Sequence, residues 1–289
     1  MASSNKPIGA NAHSPFAGCA ILVAALTVMV FLVGFSTWGL FRQAHEIEKF
    51  TAVAAQPVAV AAIDDRDAEI NRLAEKLERF RMELAGDRET ALMLTPADLN
   101  LAIAVYEPFA DLRGTLHVVA VDGPVLKLAI CFKLNGKPRL ARTGESGLIH
   151  SDPRFLMATM LARPELLGKE IVLKIDDIEV PNAKVPVEFK EQMSPYRITE
   201  RYLGDALLGP AMGKLTAVTV EDGCLVLRRK PGQLPGERIS ARQVDFASSR
   251  LFTVLGAAAC GFLLFVGILI LIRARSQKGR TSESGEIPK

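Results

Sequence analysis

The sequence predicts an α+β protein: a curled antiparallel sheet with packed helices and an amphipathic stalk helix, set between two flanking transmembrane helices. Three observations carry this. Two apolar runs, Phe16–Phe41 and Leu251–Ile272, contain no Asp, Glu, Lys or Arg, and each exceeds the roughly 18–20 residues a helix needs to cross a bilayer. Between them, stretches of apolar/polar alternation are separated by Asp-Gly and Asn-Gly turn signals, the pattern of half-buried antiparallel strands. A seven-residue apolar repeat precedes those strands, as a packed amphipathic helix requires.

In chain order, residues 1–15 form an N-terminal tail and 16–41 the first span. Within that span, Ala20 and Ala24 have helix-packing spacing, and Trp38 suits an interfacial anchor. A secretory signal peptide has an apolar stretch of about 7–15 residues. The run here is longer, and the Ala-Val-Ala at 52–54 lies well past its end, so a retained helix is expected. Phe16-Ala17-Gly18-Cys19 imitates a lipoprotein cleavage box, but the apolar run follows Cys19 instead of preceding it.

Residues 42–62, with Pro57, read as a linker, and 63–90 as the stalk helix. Ile63, Ile70, Leu77 and Leu84 recur every seven residues, with Leu73 and Phe80 between them and charged residues on the remaining faces. This is either the seam of a short coiled coil, which would make a homodimer, or a helix packed on its own domain. Residues 91–236 form the α+β domain. Thr95 caps a helix with Pro96 at its first position and Asp98 in its first turn. Strands follow at 116–121 and 126–134 around Asp122-Gly123-Pro124. Asn135-Gly136 signals a tight turn into a third strand at 139–143.

Asp152-Pro153 opens a helix through Leu161, and Pro164–Leu167 makes a further helical turn. A strand at 171–180, the Pro181-Asn182 turn and a short strand at 184–186 come next. A helix is expected at 198–208, then a hairpin of 215–220 and 224–229 around Glu221-Asp222-Gly223. The helix–strand–Asp-Gly–strand unit thus occurs at 116–123 and again at 216–223. Residues 237–250 lead back to the membrane. The second span, 251–272, has Gly256 with Cys260 and Ala257 with Gly261 at packing spacing, and 273–289 is a basic tail.

The formal net charge of +3 comes from the ends, and the central region is close to neutral. A neutral domain lacks the clustered cations that nucleic-acid binding needs, so no nucleic-acid partner is expected. Arg273, Arg275, Lys278 and Arg280 follow the second span directly. By the positive-inside rule this places the C-terminus in the cytoplasm, the N-terminus with it, and the domain outside; the alternative is the inverted arrangement, with a cytoplasmic domain. The expected location is a bacterial inner membrane, as a two-pass protein of the cell envelope. The spans lack ionisable groups, which argues against ion transport.

Chemistry is sparse. His45, His117 and His150 are separated, and His150-Ser151-Asp152 is an adjacency, whereas a catalytic triad is assembled from distant elements. Asp176-Asp177 lie on one strand, where neighbours face opposite sides. There is no CxxC, and Cys131 and Cys224 are either free thiols or a disulfide between neighbouring strands. The sequence nominates no catalytic, cofactor-binding or metal-binding residue.

The stretch Leu94–Leu134, with its Thr-Pro-Ala-Asp-Leu-Asn helix start running into Val/Leu hairpins, resembles bacterial membrane-anchored extracytoplasmic domains of the YpmS type. Val180–Pro186 and the Val-Glu-Asp-Gly-Cys-Leu-Val-Leu hairpin are similar to elements of those domains and of TULIP-like lipid-binding domains. The resemblance covers about half the domain, and the second span departs from the single anchor usual in such families. It implies a helix lying in a curled sheet with an apolar cavity for acyl chains, whereas the alternation alone is equally satisfied by a closed core. Three functions are expected on these grounds: a non-enzymatic membrane protein that scaffolds or binds an envelope partner, a lipid-handling module, or a membrane-bound hydrolase with dispersed catalytic residues. Membrane lipids are expected partners throughout.

Overall fold

The structure, a computed structural model, describes residues 15–235. The N-terminal tail, the juxtamembrane segment 237–250, the second apolar run 251–272 with its Gly256 and Cys260, and the basic C-terminal tail lie outside the described residues. The chain divides into two compact units with a boundary between Phe41 and Arg42, and each is described by itself.

The first unit contains most of helix α1 (Pro15–Glu48). Among the described residues this is the one helix long and apolar enough to cross a membrane, over Ala25–Glu48. Val23, Leu26, Met29, Phe31, Val33, Phe35 and Trp38 are all exposed. Length and composition of this kind belong both to membrane anchors and to signal sequences. The expected linker does not begin at residue 42, because α1 continues to Glu48. Arg42–Glu48 is built mainly of good helix formers and contains no breaker.

The second unit begins with the end of that helix. Ala44 is buried, and Ile47 and Phe50 join the domain core. The chain then runs in irregular form to helix α2 (Asp67–Ala85). Leu73, Phe80 and Leu84 are buried in the domain, with Ile70 and Leu77 packed beside them. Of the two alternatives for the heptad, the helix packed on its own domain is the one observed. Lys214 donates to the Leu84 carbonyl (2.7 Å), satisfying one of the orphan acceptors at the C-terminal end of α2.

Strand β1 (Thr90–Leu94) was not expected and leads into helix α3 (Pro96–Val105). Thr95 caps α3 as expected, and Asp98 completes a capping box: Asp98 N–H donates to Thr95 Oγ1, and Thr95 N–H donates to the Asp98 carboxylate, each at 3.1 Å. Lys76 of α2 adds an ion pair to Asp98 at 3.0 Å. Asn100 then clamps the edge of strand β2 (Leu116–Asp122), accepting from Val118 N–H and donating to Val118 C=O, both at 2.8 Å. Its side-chain amide stands in for a neighbouring strand.

The expected single curled sheet is instead two antiparallel sheets, neither of them curled. One orders β2, β3 (Val125–Leu140), β4 (Ile149–Leu167) and β5 (Glu170–Glu179) in sequence. The other places β1 beside β7 (Cys224–Arg229), which pairs with β6 (Ala217–Glu221). The two Asp-Gly hairpins are present, β2–β3 in the first sheet and β6–β7 in the second. Gly123, Asp222 and Gly223 take the left-handed conformation that such tight turns need.

Three sequence expectations are corrected here. Asn135-Gly136 is not a turn: β3 runs through it, with Asn135 opposite Pro153 and an irregular register up to Pro138. A Cβ at Gly136 would lie 2.6 Å from the Asp152 carbonyl oxygen, so glycine is needed for the close approach of β4. The helix expected at 152–161, and the turn at 164–167, are strand β4. Leu156, Ala158, Met160, Ala162 and Leu166 reach the cores at period two. Ala, Leu and Met favour helix, but pairing overrides that preference. Pro153 lies where β4 has only β3 beside it, and Pro164 where it has only β5, the edge situation in which a strand tolerates proline.

The helix expected at 198–208 is split into a 3-10 turn (Glu200–Tyr202) and a short α5 (Leu208–Met212). The Asp205 carboxylate accepts from the Leu207 and Leu208 N–H groups at 2.8 Å and interrupts the run. The short strand at 184–186 is instead an extended lead, with Val185 buried, into α4 (Val187–Met193).

Side chains fill two core regions. Leu128, Ile130, Leu156, Met160 and Ile175 lie in the one on the four-stranded sheet. Leu73, Leu92, Leu101, Leu215 and Leu225 lie in the other. Helix α3 serves both, with Ile103 in the first and Leu101 and Ala102 in the second. That double duty explains why α3 is apolar on nearly all sides.

Candidate interaction surface

The four-stranded sheet is not evenly extended. Strand β2 pairs with β3 only as far as Ile130, and β5 pairs with β4 only from Thr159 onward. Beyond those limits β3 and β4 continue as a two-stranded ribbon, from Phe132 opposite Leu156 to Leu140 opposite Ile149. Near its base the ribbon is tied to the end of α1. Arg154 donates to the carbonyls of Glu48 (2.9 Å) and Thr51 (2.7 Å) and to the Thr51 hydroxyl (3.0 Å). Ala52 forms a bridge with Phe155.

The tip of the ribbon has a defined shape. Arg139 donates to both oxygens of Glu145 at 2.7 Å and to Asp152 at 2.8 Å. The Arg142 N–H donates to Glu145 at 2.7 Å, and Ala141 N–H donates to the Leu148 carbonyl at 3.1 Å. Gly144 and Gly147, with φ of 94° and 99°, supply the backbone conformations this loop requires. The guanidinium of Arg139, with help from the Arg142 amide, holds the Glu145 carboxyl down at about 2. The same guanidinium keeps Asp152 below the usual carboxylate range.

On this braced loop Leu140, Leu148 and Ile149 are 78%, 84% and 72% exposed. Single exposed aliphatics are commonplace, but three around one turn make a candidate contact surface. Sequence reasoning missed them. The available signal was a polar, glycine-rich loop with large aliphatics at both ends, where turn chemistry favours polar residues.

The electrostatics give a testable pH dependence. Because the folded Glu145 carboxyl titrates below its ordinary 4.5, its contribution to loop order is present above that value and lost as pH falls toward 2. A carbon-13 titration of the Glu145 carboxyl is expected to show a midpoint near 2, moving toward 4.5 in Arg139→Gln. A midpoint near 4.5 in the unsubstituted protein would show that the brace does not form.

The residues singled out from the sequence do not converge. His45 lies 3.8 Å from Glu48, His117 sits on β2 with Asn100 Nδ2 at 3.4 Å from its Nε2, and the His150 ring meets the Ser146 carbonyl at 2.6 Å. Asp152 is engaged by Arg139 and Arg142, so His150-Ser151-Asp152 is part of the tip brace. Asp176 pairs with Arg163 and Asp177 with Lys190, which separates the two carboxylates. Cys131 on β3 and Cys224 on β7 are free thiols in different sheets. Among the described residues no group of three His, Cys, Asp or Glu is placed to hold a metal ion.

Among the described residues, two open depressions are lined largely by polar residues: one by Glu89, Thr90, Ala91, Arg228, Arg229 and Lys230, the other by Arg72, Glu75, Lys76, Arg79, Thr95 and Asp98. In the second, burial works to raise the Asp98 pKa, but hydrogen bonds from Lys76 and the Thr95 amide outweigh it and hold the carboxyl low.

Compared with known protein families, curated proteins and solved structures, the chain matches none. The resemblance to YpmS-type and TULIP-like domains therefore rests on the sequence stretches alone.

Proposed function

We propose that this chain is an integral membrane protein of the bacterial cell envelope whose α+β domain is a non-enzymatic binding module. Two spans hold it at the extracytoplasmic face of the inner membrane, and the β3–β4 tip is its contact element. The observation that carries the proposal is the braced tip with its uncovered Leu140, Leu148 and Ile149.

Retention of the first span is supported by packing. Cleavage near Ala-Val-Ala 52–54 would remove Ile47 and Phe50 from the core and the Glu48 and Thr51 acceptors from Arg154. A domain built around the end of its own anchor keeps that anchor. Self-association through α2 is left out of this reading, because its apolar seam is buried in its own domain.

Photo-crosslinking tests the proposal. A benzophenone side chain at Leu148 of the full chain, in its native membranes, is expected to form a reproducible light-dependent adduct. The same group at exposed Lys127 on the sheet is not. Equal yields from both positions, or none from Leu148, would count against the tip as a contact element.

A further inference from the structure

We infer that the occupant of the β3–β4 tip is a lipid bilayer, entered to the depth of the headgroup and upper acyl region; this deepens the preceding proposal and rests on it. The chemistry of the tip favours lipid over a protein groove. Its apolar residues are Leu140, Leu148 and Ile149, with no Phe, Tyr or Trp between Lys137 and Asp152. Protein interfaces draw their binding energy mainly from Trp, Tyr and Arg anchors seated in pockets, over roughly 800 Å² per partner. Three exposed aliphatics around one turn do not offer that area. They do offer what an interfacial insertion needs, a small apolar wedge with cations at its rim.

The rim complements an anionic surface. Lys137, Arg139 and Arg142 stand against Glu145 and Asp152. Arg139 is taken up by the two carboxylates, whereas Arg142, in a looser ion pair 3.6 Å from Asp152, keeps a side chain that is 69% exposed. A cation of this kind next to an apolar tip matches anionic lipid headgroups.

Reach is also sufficient. Arg154, five residues from Ile149, is bonded to the last turn of α1, and five strand residues span about 17 Å. Arg42–Glu48 adds about 10 Å of helix. With α1 in a membrane, the tip is therefore tethered within a few nanometres of that same bilayer. The backbone at the tip also tolerates an interfacial setting, since its loop amides Ala141 and Arg142 already have acceptors.

The test uses depth-dependent quenching. In the full chain, Trp38→Phe removes the native indole, the single Trp of the sequence, and Leu148→Trp places one at the tip, where the position is open enough to accept it. The protein is reconstituted into vesicles of phosphatidylcholine and phosphatidylglycerol carrying bromine either high or low on the acyl chain. At least twofold quenching by the shallow bromines is expected, with weaker quenching by the deep ones, blue-shifted emission and protection from aqueous iodide. Adding Arg142→Glu is expected to reduce the quenching in anionic vesicles and leave it unchanged in neutral ones. An indole that is open to iodide and indifferent to bromine would overturn the inference. So would protection from iodide without bromine quenching, which would assign the tip to a second copy of the chain. A protein adduct from Leu148 without bromine quenching would keep the tip as a contact element but overturn the bilayer as its occupant.

Discussion

Phe50→Ala is expected to lower the stability of the domain by about 3–5 kcal/mol, the cost of emptying a buried aromatic site. Phe50 is 3% exposed. Its ring meets Phe189 edge-on, with centroids 4.9 Å apart at 61°, a geometry that adds to simple burial. It sits two residues past the end of α1 and belongs to the core of the four-stranded sheet. Phe50→Leu, which keeps most of the volume, is expected to cost about 1 kcal/mol. Denaturant titration of the detergent-solubilised chain, followed by protease resistance of the domain, measures both. A loss below about 1 kcal/mol for Phe50→Ala would mean that the residues after α1 are dispensable to the core. The packing support for a retained anchor would then fail.

Leu156→Ala is expected to be similarly damaging, at about 2–5 kcal/mol. Leu156 is fully buried in the centre of β4, opposite Phe132 of β3, and Met160, two pleat repeats further along the same face, is fully buried too. The leucine lies at the root of the ribbon, so its loss bears on the elements that support the tip as well as on the core. By contrast Leu148→Ala, at an open position, is expected to leave stability within about 0.5 kcal/mol of the original. The same titration distinguishes the two. Equal effects would contradict the division between a packed sheet and an uncovered tip.

What the sequence made legible was local. The Thr95 cap of the helix that follows, the Asp-Gly hairpins and the apolar length of the first helix are signals carried by adjacent residues, and the structure reproduces each. What was not legible depended on distant partners. Residues 152–167 read as helix because Asp-Pro resembles a helix start and Met, Ala and Leu favour helix. Strand β4 exists because β3 and β5 flank it. Gly136 read as a turn, although its role is the close approach of Asp152 from across the ribbon. Strand β1 pairs with β7, which lies at the opposite end of the domain sequence, so nothing local could announce it or divide the strands between two sheets. The candidate contact surface was missed for a related reason. Leu140 looks like an ordinary strand residue until the pairing shows that, among the described residues, no further strand flanks the end of the ribbon.

The arrangement as a whole stands on the domain lying at the outer face of the membrane. Asp122→Cys places a thiol at the exposed β2–β3 turn, away from the tip and from Cys131, which is buried. In intact spheroplasts a membrane-impermeant maleimide is expected to modify this thiol beyond the unsubstituted chain, to the same extent as after lysis. Modification that appears only after lysis would place the domain in the cytoplasm and contradict the account.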